Sequence, residues 1–216
     1  MCPPEVSRDE KRGRRFSLRQ LLSIEVLPVS SVILVGGLSF STVLTFLNGY
    51  VHKVGLSPTL SGIFFMVYAT TLLVSRLFVG PAQDRYGDNI VIYPLTACLA
   101  AGLLTLSLWP TPAGIVIAAV PCALGFGALM TSLQSAAISI VRTERVGVAT
   151  STYFLMLDLG FALGAAVFGV LLPTIGYRGM YFTLSGVMVA AMGLYWLTHG
   201  RRLRLRSGVS CDASVP

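Results

Sequence analysis

Long apolar stretches separated by short polar breaks dominate the pattern along this chain. Six such stretches cover residues 29–50, 60–79, 90–108, 113–141, 146–172 and 181–198. A helix rises about 1.5 Å per residue, so each stretch can cross the roughly 30 Å hydrocarbon core of a bilayer. The pattern therefore predicts an all-α integral membrane protein, a bundle of six transmembrane helices.

The breaks between the stretches contain residues that end one helix and start the next. Ser57 and Pro58 combine an N-cap with a first-turn proline, and residues 109–112 (Trp-Pro-Thr-Pro) form a tight turn beginning with an interfacial tryptophan. Gly176 and Gly179 bound a predicted hairpin. Short breaks of this kind predict antiparallel neighbours in the bundle.

The composition supports the same class, because 54% of the residues are hydrophobic and only 12% are charged. The formal net charge of +7 does not indicate nucleic-acid binding, since the cations lie in the tails and at segment ends. Fourteen of the sixteen Lys and Arg residues fall on one side of the predicted membrane, and only Lys53 and Arg178 fall on the other. The positive-inside rule then predicts a plasma (inner) membrane protein with both termini in the cytoplasm.

Three regions follow from this topology. Residues 1–27 are predicted to be a basic cytoplasmic tail or linker, residues 28–200 the six-helix domain, and residues 201–216 a second basic cytoplasmic tail. Residues 17–20 (Ser-Leu-Arg-Gln) have the form of a capping box, which predicts a short amphipathic helix on the membrane surface.

A polar stripe runs along the first stretch. Ser41, Thr45 and Asn48 fall at positions i, i+4 and i+7, so they share one helical face. Such a stripe either lines an aqueous cavity or forms hydrogen bonds within and between helices. Gln134, the largest uncharged polar side chain inside a stretch, has the same two interpretations, substrate contact or packing.

Asp158 is the most informative ionisable residue because it lies near the middle of the fifth stretch. A charged carboxylate at the bilayer centre costs about 2.5–3.5 kcal/mol on insertion scales, so it must be paired, solvated or protonated. Proton or substrate coupling is one interpretation, and a carboxylate held by neighbouring hydroxyls or an arginine is the other. Gly160 and Gly164, roughly opposite on the same helix, form a small-xxx-small step predicted to be a packing surface.

The end of the second stretch carries the most specific motif. Arg76, Gly80 and Asp84 are spaced four residues apart, and Arg85 and Gly87 follow in a predicted loop at residues 85–89. Four of these residues, Gly80, Asp84, Arg85 and Gly87, match the signature G-x-L-A-D-R-x-G-R-K, so the region resembles the loop motif of the major facilitator superfamily of secondary transporters. Residues 82, 83, 88 and 89 depart from that signature. The resemblance implies a gating role for this corner of the molecule.

The resemblance extends over residues 17–202 and implies the carboxyl-terminal half of a twelve-helix transporter. Residues 125–128 with Gln134, and the loop at 142–149, resemble further parts of that half. The family implies alternating access, and we expect a proton-coupled transporter. Efflux of a small molecule or drug is one direction that the sequence allows, and the sequence does not determine the direction. Three explanations of the half-length chain stay open: a fragment whose amino-terminal half is missing, a half-transporter that pairs with a second copy, and an inactive remnant.

Other classes of function lack sequence support. No G-x-S-x-G, Walker or C-x-x-C motif occurs, and His52 and His199 lie at predicted membrane ends. We therefore predict no catalytic residues, no enzyme activity, no cofactor and no metal site. The expected partners are membrane lipid, a small-molecule substrate and the missing half or a second copy. A non-transporting scaffold or sensor is the alternative, against which a midplane carboxylate argues.

Overall fold

The computed structural model describes residues 26–86 and 88–195, which form helices joined by short turns and contain no β-strand. The elements are α1 (Leu27–Lys53), α2 (Thr59–Tyr86), α3 (Asp88–Leu108), α4 (Pro112–Cys122), a π-helical turn (Ala123–Ala128), α5 (Leu129–Ser139), a 3₁₀ turn (Thr143–Arg145) and α6 (Val146–Tyr195). The predictions for both tails and for Gly87 lie outside the described residues.

Five helical stretches among the described residues are long and apolar enough to cross a membrane. They are Val29–Lys53, Thr59–Gln83, Val91–Leu108, Pro112–Ser139 and Thr143–Gly193. The prediction of an all-helical membrane protein is confirmed. The count differs from the predicted six because the fifth and sixth predicted segments follow each other directly in α6, separated only by a break in the helix at Gly176.

Local sequence explains where several helices begin and end. Thr111 caps α4, since its hydroxyl accepts a hydrogen bond from the Gly114 amide at 3.1 Å, and Pro112 occupies the first turn. Just after the carboxyl-terminal end of α1, Gly55 has a φ of 77°, a left-handed conformation that glycine adopts without steric cost. These caps stand where the sequence pattern placed breaks.

The connection between α2 and α3 is shorter than predicted. The predicted five-residue loop at residues 85–89 is wrong, because α2 continues through Tyr86 and α3 begins at Asp88. Charged residues at the end of a membrane helix can reach water while the backbone stays helical, so their polarity does not require a loop. Pro81 also lies inside α2 without ending it.

Helix α6 contains one sharp interruption, at Gly176, where φ is 66° and ψ is 170°. This backbone region is essentially restricted to glycine. Before it, Gly160 lies against Leu34 and Gly169 against Phe46, so α6 runs parallel to α1. After it, Arg178 Nε donates to the Ser107 carbonyl at 2.8 Å and the Ser185 hydroxyl donates to the Ala100 carbonyl at 2.9 Å, which is an antiparallel register with α3.

Helices α1 and α3 end at the same level of the bundle. The Tyr50 hydroxyl, near the end of α1, donates to the Leu106 carbonyl of α3 at 2.7 Å. Tyr177, one residue past the interruption, lies against Gly49 of α1. The chain therefore reverses direction at Gly176, at the level where α1 and α3 end.

Close approach of α1 and α6 depends on small residues. A Cβ atom added at Gly160 would meet the Leu34 carbonyl oxygen, and one at Gly164 would meet Ser41 and the Leu38 carbonyl oxygen. On α1, a Cβ at Gly37 would stand 3.0 Å from the Leu157 carbonyl oxygen. The two backbones are in contact, as expected where small residues face each other in a membrane bundle.

Candidate functional site

Asp158 lies on the exposed surface of α6. Within residues 26–86 and 88–195 its carboxylate has no hydrogen bond and no ion pair. Leu157, next to it, is buried against Gly37 of α1, so Asp158 stands beside the α1–α6 interface rather than inside it. The bundle therefore presents this carboxylate outward, near the middle of the part of α6 that precedes Gly176.

The exposed surface of α6 has two chemically different faces. Ser151, Asp158, Ala162, Ala165 and Gly169 follow the spacing i, i+7, i+11, i+14 and i+18, so they share one face, which we call the small face. Small residues follow the carboxylate on this face, while the exposed side chains of Phe154 and Leu155 lie one turn before it. Large exposed side chains, Leu159, Leu163 and Val170, lie about 120° away at 100° per residue. A lipid-facing surface is expected to carry the large apolar side chains, so the small face with Asp158 suits a cavity or another protein surface.

The predicted polar stripe of α1 is buried at Ser41 and exposed at Thr45 and Asn48. Ser41 is buried, donates its hydroxyl hydrogen to the Leu38 carbonyl at 2.9 Å and lies against Gly164 of α6. Thr45 and Asn48 are exposed, and Asn48 Oδ1 accepts a hydrogen bond from the Ser61 hydroxyl of α2 at 3.3 Å. The structure therefore places Ser41 in the helix interface, and only Thr45 and Asn48 reach the surface.

Gln134 on α5 is half-buried, whereas a second glutamine makes the contact between helices. Gln83 of α2 is buried and donates from Nε2 to the Ser132 carbonyl of α5 at 3.0 Å. This bond ties the motif-bearing end of α2 to α5. No sequence pattern singled out Gln83, although a polar residue replacing the alanine of the motif was a usable signal.

The loop-motif residues whose side chains the structure describes lie on the outer surface of the bundle. Arg76, Gly80 and Arg85 of α2 are exposed, and a Cβ at Gly80 would meet nothing within 4 Å. The side chain of Asp84 and the whole of Gly87 lie outside the described part of the chain. Asp158 on α6 and Arg76 on α2 form no ion pair with each other or with another residue in the described ranges. Arg76 and Gly80 thus lie on the outward surface of α2.

These features define a class of protein: a helical, multi-pass membrane protein with a carboxylate exposed on one of its apolar helices. The sequence profile of the Major Facilitator Superfamily matches residues 28–210. The chain belongs to the Major Facilitator Superfamily, as its loop motif indicated.

Several proteins named as uncharacterized MFS-type transporters are similar to this chain. Those of Burkholderia mallei strain SAVP1 and Burkholderia pseudomallei strain K96243 are each 25% identical over 193 residues, which cover 89% of this chain and 47% of the relative. One from Methanocaldococcus jannaschii is 27% identical over 145 residues, 66% of this chain and 37% of the relative. The chain thus spans about half the length, 47%, of the Burkholderia relatives. Its relatives are named as transporters, not as enzymes.

Proposed function

We propose that this chain is one half of a proton-coupled secondary transporter that exports a small molecule by alternating access. The observation that carries the proposal is the position of Asp158, exposed on the small face of α6 beside the tightly packed α1–α6 interface. An apolar environment favours the protonated form of a carboxyl group and water favours the charged form. A carboxylate whose access alternates between the two membrane sides can therefore bind and release a proton in each cycle.

We also propose that α6 crosses the bilayer twice, which gives six spans. Fifty residues of helix measure about 75 Å, more than twice the thickness of the hydrocarbon core. The reversal at Gly176 supports two antiparallel spans of ordinary length. In this arrangement the first and last spans have cytoplasmic ends, in agreement with the positive-inside rule.

A second helical bundle is expected to complete the transport cavity. The 47% coverage of the Burkholderia relatives and the exposed motif residues Arg76 and Gly80 of α2 both support such a partner. The partner is either an amino-terminal half or a second copy of this chain. Secondary transporters bind substrate at the interface of two such repeats, near the bilayer midplane.

The test is substrate-driven proton movement in sealed vesicles. The protein is produced from its complete reading frame and reconstituted with a pH-sensitive dye inside the vesicles. Organic cations, neutral metabolites and metallophores are then added one at a time. We expect at least one of these solutes to move protons in wild type, and Asp158→Asn to reduce that movement at least tenfold.

The matched control is Ser151→Ala, which changes a polar residue on the same face of α6 two turns away from Asp158. It should retain proton movement, because its hydroxyl bonds only to the Gly147 carbonyl of its own helix. Thermal unfolding of both variants in detergent should match wild type. Unchanged proton movement in Asp158→Asn would remove this residue from the coupling mechanism.

A further inference from the structure

The last turn of α2, residues 82–86, directly follows a proline inside the helix, Pro81. Proline has no amide hydrogen, so Pro81 cannot donate to the carbonyl of Leu77 four residues earlier, and its ring crowds that carbonyl. Helices bend most readily at such a position. The turn that carries Asp84 and Arg85 of the loop motif is therefore joined to the rest of α2 through a hinge.

Gln83 is the side chain that inserts from this turn into the bundle. Pro81 and Arg85 are exposed, and Ala82 is half-buried and contributes a single methyl group. Gln83 is only 9% exposed. Among the side chains described at positions 81, 82, 83 and 85, it is thus the one that reaches the interior.

The partner of Gln83 belongs to a helix that is held in place by other contacts. Gln83 Nε2 donates to the carbonyl of Ser132 on α5 at 3.0 Å, and both Ser132 and its neighbour Leu133 are fully buried. The Tyr153 hydroxyl of α6 donates to the Met130 carbonyl of α5 at 2.6 Å. The bond from Gln83 therefore joins a hinged turn to a fixed support.

This bond lies in apolar surroundings, away from water. A buried amide that loses its partner is not rehydrated, so such a bond contributes more than one at the surface. The signature of the loop motif has alanine at the position of Gln83, and alanine has no side-chain donor. The contact between Gln83 and Ser132 is therefore a feature of this chain and not of the signature.

We propose that Gln83 is a positioning residue, which holds the hinged last turn of α2 on α5 and so determines where the motif residues of that turn lie. When the bond breaks, the turn moves about Pro81 while α5 stays in place. Gln134 follows Ser132 by two residues, so the bond also connects a predicted substrate-contact residue with the loop motif. This inference rests on the proposed function only for the statement that the turn takes part in transport.

The test is hydrogen–deuterium exchange of the complete protein in detergent, measured by mass spectrometry. Gln83→Leu keeps a side chain of similar size and removes the donor. We expect amide exchange in the peptide covering residues 82–86 to become about three- to tenfold faster, as for the loss of one hydrogen bond. Exchange in α5 should stay within about twofold of wild type, because Tyr153 and the buried leucines still hold that helix.

Two further variants serve as comparisons. Ser75→Ala is the matched control, because Ser75 is a buried polar residue of the same helix whose hydroxyl donates to the Leu72 carbonyl at 2.8 Å, before the hinge. It should leave exchange at residues 82–86 unchanged. Gln83→Ala introduces the residue of the signature and should behave like Gln83→Leu.

Gln83→Glu separates hydrogen bonding from packing. A protonated carboxyl group can donate to the Ser132 carbonyl, whereas an ionised one cannot. After correction for the intrinsic exchange rate, we expect exchange at residues 82–86 to match wild type at about pH 5 and to be faster at about pH 9. Equally fast exchange in Gln83→Glu and Gln83→Leu at the lower pH would mean that the hydrogen bond does not hold the turn.

The outcomes separate this inference from the proposed function. Unchanged exchange at residues 82–86 in Gln83→Leu, or an equal increase along the whole chain, would overturn the inference. If Gln83→Leu does not fold, the pH comparison of Gln83→Glu decides the question. If no solute drives proton movement in wild-type vesicles, the proposed function fails and the exchange result still stands.

A solute that does drive proton movement tests the role of the turn in transport. We expect Gln83→Leu to lower the maximal rate at least about threefold and to leave the half-saturating solute concentration within about twofold of wild type, because a positioning residue acts after the solute is bound. An unchanged maximal rate would contradict a role of the pinned turn in transport.

Discussion

Helices α1 and α2 are consecutive and nearly equal in length, with 27 and 28 residues, yet they have opposite environments. Large residues of α1 such as Ile33 and Leu47 are fully buried. On α2, Leu77 is 70% exposed and Phe78 is 68% exposed. One helix thus forms the inside of this bundle, while its neighbour in sequence presents a large apolar surface outward.

The contrast shows that hydrophobicity alone does not decide burial in a membrane protein. Lipid is as apolar as a leucine side chain, so an apolar helix gains little by turning a given face inward. Small residues decide instead, because Gly37 of α1 and Gly160 and Gly164 of α6 allow the two backbones to touch. No comparable small-residue contact to another described helix is present at Gly62 or Gly80 of α2.

The largest effect is expected where α1 and α6 are in backbone contact. Gly160→Leu would force a side chain into the Leu34 carbonyl, and overpacking of this kind should lower the free energy of unfolding by about 3 kcal/mol. The measurement is unfolding by SDS titration in mixed micelles. Gly186→Leu is the control, because a Cβ at Gly186 meets nothing within 4 Å. Equal stability of the two variants would mean that close packing does not distinguish α1 from α2.

A smaller effect is expected from removing the hydrogen bond between α1 and α3. Tyr50→Phe removes the 2.7 Å hydrogen bond to the Leu106 carbonyl and keeps the ring that packs on Tyr181, with centroids 5.4 Å apart. Loss of one such bond should reduce the free energy of unfolding by about 1 kcal/mol. Thr70→Val serves as the control, since that exposed hydroxyl of α2 bonds only to Met66 of its own helix. If both substitutions have the same effect, the interhelical bond adds no stability.

The smallest effect on unfolding is expected on the outer face of α2. Leu77→Ala truncates a side chain that is 70% exposed, so the free energy of unfolding should change by no more than about 0.5 kcal/mol. The same position can locate the second bundle: with Leu77→Cys and a thiol cross-linker, we expect a higher-mass product that Phe182→Cys does not give. No cross-link at position 77 would place the partner bundle elsewhere.

Much of the fold followed from the sequence pattern. The sequence pattern predicted the spans at the first four segments, the turn at residues 109–112 and the break near Gly176, because helix ends depend on a few local residues. The predicted loop at 85–89 was too long, since charged residues end the apolar pattern before the helix itself ends. Asp158 was identifiable because a carboxylate inside an apolar stretch is rare.

The sequence pattern could not predict which side chains from different helices are in contact. Ser41 and Asn48 share one stripe in the sequence, yet Ser41 packs against Gly164 and Asn48 bonds to Ser61 at the surface. Gln83 reaches Ser132 across 49 positions of sequence, a pairing that no periodicity indicates. Such contacts depend on the distance and rotation between helices, which a single helical pattern does not encode.

By itself, the sequence determined the class of the protein and the family to which it belongs, because a bilayer requires long apolar helices and the motif is local. The tertiary structure alone decided which faces touch and which stay open. It brought the rings of Phe40, Tyr68, Phe126 and Phe161 together and left Asp158 exposed on α6. The physical reason is that apolar helices are nearly interchangeable in their attraction to lipid. The arrangement of the helices therefore depends on how closely their surfaces pack, at the glycines and at the π-helical turn, rather than on their hydrophobicity.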